Sequence, residues 1–532
     1  MATQGEAPLE IPGEPSGTGM KSSIISRENA TNDPFILKFP PEIASRVLFL
    51  SMDASSYEVS TKLPTSLLLG SVCRRWRLLA RSTPELWTTL SLSLGKPTTP
   101  KGLSQLEAVT NWLSFSGGLP LSLHVFQYRG SDSVSQEEFD PVIDLFNQHS
   151  GRWHKLSLCV LPPLFGRFCG TSPPSNLCDI LLKSQGEMDD IHSVIPHFRM
   201  HSRPSPTHLT VSGSGFLFDI AWGNLRSLKL GGMTLDKYLE VIQCAPLLEL
   251  CTLESPCNMQ QICFTRIPVK HMHLRMLKLI GFPTELLRSF LDALELPSLE
   301  HYCCYTVAHD DSAKNVISLL KRSDTYLKHL TLITLRPCAG DIEKLLDASP
   351  CLENLYLKFP YLETVDSSII HDLFKHLSSS PPLLEGDVPG FLPNLRSLTI
   401  VACHLTTQWA AIPRLFSWPH RRFLRLLVND MYPGVDRIDI HTMRTILRLV
   451  DEGFNIRIFG GFGDEDYLES FRKKLRTVGP SEGPEIVDHA LEGELLAAAE
   501  AQEDCSTADD KDNKKRCSFS FSSFISHLFC RK

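Results

Sequence analysis

Apolar residues along this chain fall on two periods. From Trp153 onward a spacing at positions one, four and six recurs: Trp153, Leu156 and Leu158; Leu225, Leu228 and Leu230; Leu248, Cys251 and Leu253; Leu274, Leu277 and Leu279. It continues through Leu299, Tyr302 and Cys304, then Leu327, Leu330 and Leu332, then Leu352, Leu355 and Leu357. Leu395, Leu398 and Ile400, and finally Phe423, Leu426 and Val428, complete the series. Alternation of this kind buries one face of a short strand. Between the strands lie segments of helical period, 235–244, 284–294, 313–323, 341–348 and 367–377. First positions from Leu225 on stand 23 to 28 residues apart, except for one step of 43 that predicts an insertion or a lost repeat near 361–390. Pro246, Pro297, Pro350 and Pro393 each precede a first position by two residues. Proline there ends the preceding helix and sets up the strand. A strand–helix unit repeated at this period cannot bury its own apolar face and stacks on its neighbours instead. The prediction is an α/β solenoid of parallel strands plus helices.

Ahead of the repeats the period is helical. Phe39 to Leu50 reads FPPEIASRVLFL, with Pro40 and Pro41 suited to a first turn whose amide hydrogens go unused. Ile43, Val47 and Leu50 form one stripe. A polar interval, 51–66, leads to LLLGSVCRRWRLLARSTPELWTTLSL, where Leu69, Val72, Cys73, Trp76, Leu79 and Ala80 keep the helical period. Thr83, Pro84 and Glu85 start a short further turn carrying Leu86 and Trp87. A helix over 103–115, a strand over 119–125 and a helix over 139–149 follow. Residues 160–206, rich in Pro, Ser and His, predict an irregular, loop-bearing stretch. After the repeats, helices over 441–452 and 464–475 flank a strand, 456–459, and cap the solenoid.

The Pro-Glu-Ile opening, the Val-Cys-Arg-Arg-Trp-Arg helix and the Thr-Pro-Glu-Leu-Trp ending together resemble an F-box. The long interval combined with that ending is similar to the F-box-like proteins of mushroom-forming fungi. Two departures stand: Phe39 replaces the usual Leu, and the 51–66 interval is longer than in compact F-boxes. The repeats resemble the irregular leucine-rich repeats of F-box proteins, which lack a regular Asn ladder; Met233, Phe282, Leu335 and Cys403 hold that position here. The resemblance implies a small all-α module that docks on a Skp-type adaptor, and through it on a cullin. It implies that the repeats present an unknown substrate protein to a ubiquitin ligase, with no catalytic residue in this chain. Adaptor contact would fall to Pro40, Pro41, Ile43, Val47, Leu50, Leu69, Val72, Cys73, Trp76, Leu86 and Trp87. The alternative is a non-catalytic leucine-rich-repeat scaffold or adaptor, membrane-associated or not, without a ubiquitin role.

Where positions one, four and six face inward, positions three, five and seven face the other way. From Leu299 to Lys358 the latter are His301, Cys303, Tyr305, His329, Thr331, Ile333, Asn354, Tyr356 and Lys358. Of these, His301, Tyr305, His329, Tyr356 and Lys358 make a candidate substrate face, because aromatic anchors dominate interface energies.

Composition narrows the alternatives. A chain of 532 residues exceeds one core. With 42% hydrophobic and 21% charged residues it has the make-up of soluble proteins. No run of about 18 apolar residues occurs, so no transmembrane helix is expected, and no secretory signal is read at the N-terminus. The 16 cysteines are scattered without a C-x-x-C pair, which predicts reduced thiols in the cytoplasm or nucleus. The net charge of −7 is concentrated near one end. Eleven acids and one lysine lie between Pro480 and Asn513, then five basic residues and no acid between Lys514 and Lys532. The nearly neutral body offers no electrostatic footprint for nucleic acid. The organisation expected is a disordered 1–33, an F-box-like 34–92, connecting helices and a strand in 93–150, a repeat solenoid with its cap over 151–479, and an acidic disordered tail, 480–532, with a basic Phe-rich end. In that end Phe519, Phe521, Phe524, Ile525, Leu528 and Phe529 fit either peripheral membrane contact or docking on the body or on a partner.

Neither a cofactor nor a metal is expected. Cys244, Cys251, Cys257 and Cys263 with His271 and His273 lack the paired spacing of zinc sites. No nucleophile elbow, phosphate loop or dinucleotide glycine pattern occurs. Gly460, Gly461 and Gly463 run into Asp464, Glu465 and Asp466, whose charges repel phosphate, so a turn with an acidic helix start is predicted.

Overall fold

The structure is a computed structural model describing residues 39–51, 65–94, 105–127, 139–185, 195–256, 268–306, 312–334, 339–359, 368–379, 391–402, 409–430, 439–460 and 465–477. The predicted disordered ends, most of the 51–66 interval, Cys257, Cys263, Leu335, Cys403, Gly461 and Gly463 lie outside these residues. Two compact units are distinguished, Met1–Gln261 and Ile262–Lys532. No helix among the described residues is long and apolar enough to cross a membrane.

The first unit opens with helices α1 (Pro41–Leu50), α2 (Thr65–Val72) and α3 (Arg74–Arg81) and a 3-10 turn at Pro84–Trp87. The single helix expected through Val72 and Arg77 is broken: Cys73 is extended (φ −156°, ψ 175°), and a new helix starts at Arg74. Strands β1 (Thr89–Leu94), β2 (Leu121–Gln127) and β3 (Trp153–Val160) alternate with helices α4 (Gln105–Phe115) and α5 (Asp140–Gln148). Then come β4 (Asp179–Ser184), β5 (His197–Arg199), β6 (His208–Ser212), β7 (Leu217–Asp219), β8 (Ser227–Gly231), α6 (Leu235–Cys244) and β9 (Leu250–Glu254). The main sheet runs β1-β2-β3-β4-β6-β8-β9 with parallel pairing, while β5 and β7 pair apart from it.

This sheet starts at Thr89, well before the position 151 that the repeat spacing predicts. The described parts of the 160–206 stretch, 160–185 and 195–206, carry β4 and β5 as well as irregular backbone. Leu177, Ile180 and Leu182 hold the one-four-six spacing and are buried, and Pro206 fills the first slot ahead of Leu209 and Val211. Its irregular backbone is satisfied by two side chains of the preceding turn. Asn147 Nδ2 donates to the Arg167 carbonyl (2.8 Å) and its Oδ1 accepts from Gly170 N–H (3.0 Å). Ser150 Oγ accepts from the N–H groups of Thr171 (3.0 Å) and Ser172 (2.9 Å). Buried backbone needs such partners, because an unpaired polar group costs about 1–3 kcal/mol.

In the second unit the strands are β10 (Val269–Lys270), β11 (Met276–Ile280), β12 (Leu294–Glu295), β13 (His301–Thr306), β14 (His329–Thr334), β15 (Asn354–Phe359), β16 (Ser397–Ala402), β17 (Arg425–Asp430), β18 (Ile456–Gly460) and β19 (Glu465–Asp466). Helices α7 (Thr284–Asp292), α8 (Ser312–Ser323), α9 (Ala339–Asp347), α10 (Ser368–Ser379), α11 (Ala411–Leu415), α12 (Ile440–Asp451) and α13 (Tyr467–Thr477) return the chain between strands or follow them. From β11 the order β13-β14-β15-β16-β17-β18 is parallel and β19 closes antiparallel. Each unit is thus a parallel sheet with helices, a solenoid-like α/β arrangement. Because β15 pairs directly with β16, the step of 43 is an insertion containing α10, not a lost strand. At the last repeat the expected frame fails: Phe423 is 87% exposed and Leu424 (1%) fills the slot. The cause is the buried Arg421, whose guanidinium donates to the carbonyls of Leu392 (2.8 Å) and Phe391 (2.6 Å) and turns the chain one residue early. Asp466 caps α13 as the acidic start predicts, accepting from Leu468 N–H (3.0 Å).

The prolines act through one turn. The N–H groups of Leu248, Leu299, Leu352 and Leu395 donate to the carbonyls of Ala245, Leu296, Ser349 and Leu392 (3.1, 3.2, 3.2 and 3.2 Å), with proline second in each turn, where its fixed φ suits it. Before Leu274 no proline is present, and buried His271 Nδ1 accepts the same N–H instead (3.1 Å). The residue after each first position alternates in charge. Arg226 pairs with Glu249 in the first unit. In the second unit the row is Arg275, Glu300, Lys328, Glu353 and Arg396, with Lys328–Glu300 at 3.0 Å and Arg396–Glu353 at 3.6 Å. The hydrogen bond from Lys328, aided by the Lys328 and Arg275 charges, holds the Glu300 carboxyl below its usual range. A depressed carboxyl adds stability that is present above its unfolded value, about 4.3, and is lost as pH falls through the folded one. Glu300→Lys, which puts three cations in a row, is expected to lower stability by about 1 kcal/mol. Glu300→Gln should cost less, and Glu300→Lys with Lys328→Glu should recover part of the loss. Denaturant midpoints at neutral pH check this order, and the gap between wild type and Glu300→Gln should close by about pH 3.

Candidate functional site

Two surfaces stand out, one in each unit. In the N-terminal helices the core is made by Ala44 and Leu48 of α1, Ala80 of α3, and Leu86 and Trp87. Trp87 Nε1 donates to the Ala80 carbonyl (2.7 Å). Its ring stands edge-on to Trp112 and tilted against Phe115 of α4, with centroids 4.8 Å away in both cases. Thr83 and Ser45 hydroxyls meet at 2.8 Å and tie the turn to α1. Trp87 therefore joins the helices to the first strand–helix unit.

The opposite side of α1 faces solvent: Ile43, Val47 and Leu50 are 49%, 43% and 66% exposed. Phe39, Val72 and Leu78 are exposed as well, and so are Leu67 and Leu68 of α2. Of the residues expected to meet an adaptor, Pro40, Pro41, Ile43, Val47, Leu50 and Val72 are exposed, and Leu69, Cys73 and Trp76 are half-buried. Leu86 and Trp87 are buried, and in this structure they hold the helices together. Leu67, Leu68 and Leu78 were missed. For Leu67 and Leu68 the signal was a largely apolar helix, which normally means burial. Single exposed apolar residues are ordinary, but this many on three short helices make a candidate interaction surface.

In the second unit the burial of β14 and β15 alternates strictly, with the even-numbered or odd-numbered inward residues against the helices. Strand pairing aligns the outward residues in three rows. The first holds Met276, His301, His329, Asn354, Ser397 and Arg425. The second holds Lys278, Cys303, Thr331, Tyr356, Thr399, Leu427 and Arg457. The third holds Ile280, Tyr305, Ile333, Lys358, Val401, Asn429 and Phe459. His301, Tyr305, His329, Tyr356 and Lys358 are thereby brought onto one sheet face. No carboxylate occupies any of these positions.

No protein-family model matches the chain, and no curated protein matches it.

The outward face mixes apolar residues, among them Ile333, Leu427 and Phe459, with neutral donors and cations. His301 and His329 stack with centroids 3.9 Å apart and planes 6° from parallel. Asn354 Nδ2 lies 2.9 Å from His329 Nδ1, within hydrogen-bond distance. Burial, with the His329 charge adding, holds the His301 imidazole below its ordinary range. Lys278 Nζ sits 5.0 Å above the Tyr305 ring. Burial pushes the Tyr305 phenol up to about 12 and raises that of Tyr356, so both remain hydrogen-bond donors at neutral pH. Burial likewise raises the Cys303 thiol. Cys251 and Cys304, in leucine slots, are pushed to about 12 and stay thiols, the unreactive form. Cys178 Sγ lies 3.5 Å from the His154 ring, but burial raises that thiol rather than activating it.

Stability separates the two roles within the helices. Ile43→Ser and Val47→Ser, each on an exposed face, are expected to stay within about 0.5 kcal/mol of wild type. Trp87→Ala, which empties a buried site and frees the Ala80 carbonyl, is expected to cost roughly 3–5 kcal/mol. Thermal unfolding of the three variants checks the contrast.

Proposed function

We propose that this chain is a substrate-recognition subunit of a Skp–cullin–RING ubiquitin ligase, with an F-box-like helical module and a leucine-rich-repeat-like body. The observation that carries the reading is the apolar face of α1, where Ile43, Val47 and Leu50 stand in solvent while Ala44 and Leu48 take the core. An apolar helix face of this kind lays itself into a partner's groove through anchors at i, i+4 and i+7. The resemblance of the 39–92 stretch to an F-box names a Skp-type adaptor as that partner. The free cysteines among the described residues suit a reducing compartment, in the cytoplasm or nucleus. Such a subunit performs no bond chemistry. It holds a target beside the transfer enzymes and raises their effective concentration.

The target surface in this reading is the outward sheet face of the second unit, with Tyr305 and Tyr356 as its aromatic anchors. Purified full-length chain should capture a Skp-type adaptor, and Ile43→Ser with Val47→Ser and Leu50→Ser should weaken capture by tenfold or more, about 1.4 kcal/mol, without unfolding the protein. A folded chain that ignores the adaptor would leave the scaffold reading in its place. On targets captured by the wild-type chain, Tyr305→Ala with Tyr356→Ala is expected to weaken binding by about 2 kcal/mol while adaptor capture is unchanged. Titration of both partners against the same variant provides the comparison.

A further inference from the structure

We propose that the stacked pair His301–His329 is a pH-operated element of the outward sheet face, closed while it carries one proton or none beyond the neutral rings and opened by the second. His301 and His329 are partners on β13 and β14, in the row that runs from Met276 through both rings to Asn354. Adjacent strands stand about 4.8 Å apart. The ring centroids are 3.9 Å apart with planes 6° from parallel, so the rings lean towards each other beyond what register imposes. Two uncharged imidazoles, or one charged and one not, can hold that contact. Two charged ones repel strongly there, because both rings are half-buried and water screens them less.

The surroundings set the sign. On β11 Met276 stands beside His301, with Arg275 one residue earlier and Lys278 in the next row. On β13 are Glu300 and Cys303, on β14 Lys328 and Thr331, and on β15 Glu353, Asn354 and Tyr356. Both of these carboxylates are ion-paired, Glu300 with Lys328 and Glu353 with Arg396. Burial comes first in holding the His301 imidazole below its ordinary range; the His329 charge adds to it, Glu300 works against it, and Lys328 adds again. A ring depressed in this way contributes stability that is whole above the unfolded value, about 6.5, and is lost as pH falls through the folded one. Opening also disturbs Asn354. Its Nδ2 lies 2.9 Å from His329 Nδ1, and a charged imidazole donates from both nitrogens, so the amide must then turn its oxygen to the ring or leave it. The strands themselves stay in place, since Tyr302, Cys304, Leu330 and Leu332 remain buried on the other face. The consequence is an outward face that changes shape and gains charge on mild acidification, in the range where histidine titrates. The element belongs to the sheet and does not rest on the ubiquitin reading.

The test follows the imidazole Cε1–Hε1 resonances of the full chain, labelled at histidine, from about pH 8 to about pH 4. The two signals are assigned with His301→Gln and His329→Gln, or with the Asn replacements where a Gln variant departs from the wild-type thermal midpoint at about pH 8. The expected result is a His301 titration midpoint below about 6.5. His329→Gln should move that midpoint up, because it removes a like charge, and Glu300→Gln should move it down, because it removes an opposite one. A nuclear Overhauser contact between the two rings should be present at neutral pH and lost on the acid side of the His301 midpoint. Across that midpoint the wild type should lose more stability than His301→Gln, which has no ring to charge there. A His301 midpoint at or above its ordinary value, one indifferent to His329→Gln, or a ring–ring contact that survives on the acid side overturns the proposal. None of these measurements involves an adaptor, so failure here and failure of adaptor capture through α1 are told apart.

Discussion

Each strand of this chain can bury one face only, and only against the helix or turn that carries the chain to the next strand. That constraint fixes the inward slots. From Leu225 to Leu357 nearly every one-four-six position is buried to within a few per cent, and cysteine or tyrosine enters only where it matches the slot. It also frees the outward positions, which need only tolerate their neighbours in the row. Packing and recognition therefore sit on alternate residues of the same strands. A change at Leu330 empties the core, whereas a change at Thr331 alters a surface.

Parallel stacking leaves two further problems, the turns and the ends. The turns are handled by a repeated i to i+3 hydrogen bond with proline preset in second place, or by His271 standing in for a carbonyl. In the first unit Trp87 belongs at once to the helical module and to the slot preceding β1, so that module and sheet share a core residue. In the second, β19 is two residues long and antiparallel, and a short edge strand invites no further pairing. The alternating charges beside the first positions link neighbouring strand edges at three places, Arg226 with Glu249, Lys328 with Glu300 and Arg396 with Glu353.

How much of this was legible depends on whether a signal was local. Slots, prolines and the helices at 235–244 and 441–452 were, because periodicity lies in adjacent residues. Leu177, Ile180 and Leu182 carried the same spacing but were hidden in a stretch whose Pro, Ser and His content reads as loop. Phe423 was misassigned because the frame there is set by Arg421 reaching back to Phe391 and Leu392, some thirty residues away. For the helical module the stripe of Ile43, Val47 and Leu50 was plain, but a period cannot say whether Ala44 and Leu48 or the larger residues face inward. The charge row was present in the sequence too. Charged residues read as solvated until strand register sets Glu300 beside Lys328.

Net charge conceals the most consequential feature of the second unit. Among the described residues, no acid holds an outward position from β11 to β18, whereas Lys278, Arg425 and Arg457 do. The two candidate surfaces consequently differ in kind. Contacts through Ile43, Val47 and Leu50 rest on removing apolar area from water, which added salt does not weaken. Contacts through Lys278, Arg425 and Arg457 rest on exposed charges, whose reach shrinks with ionic strength. Either surface can change by substitution without disturbing the slots that hold the fold.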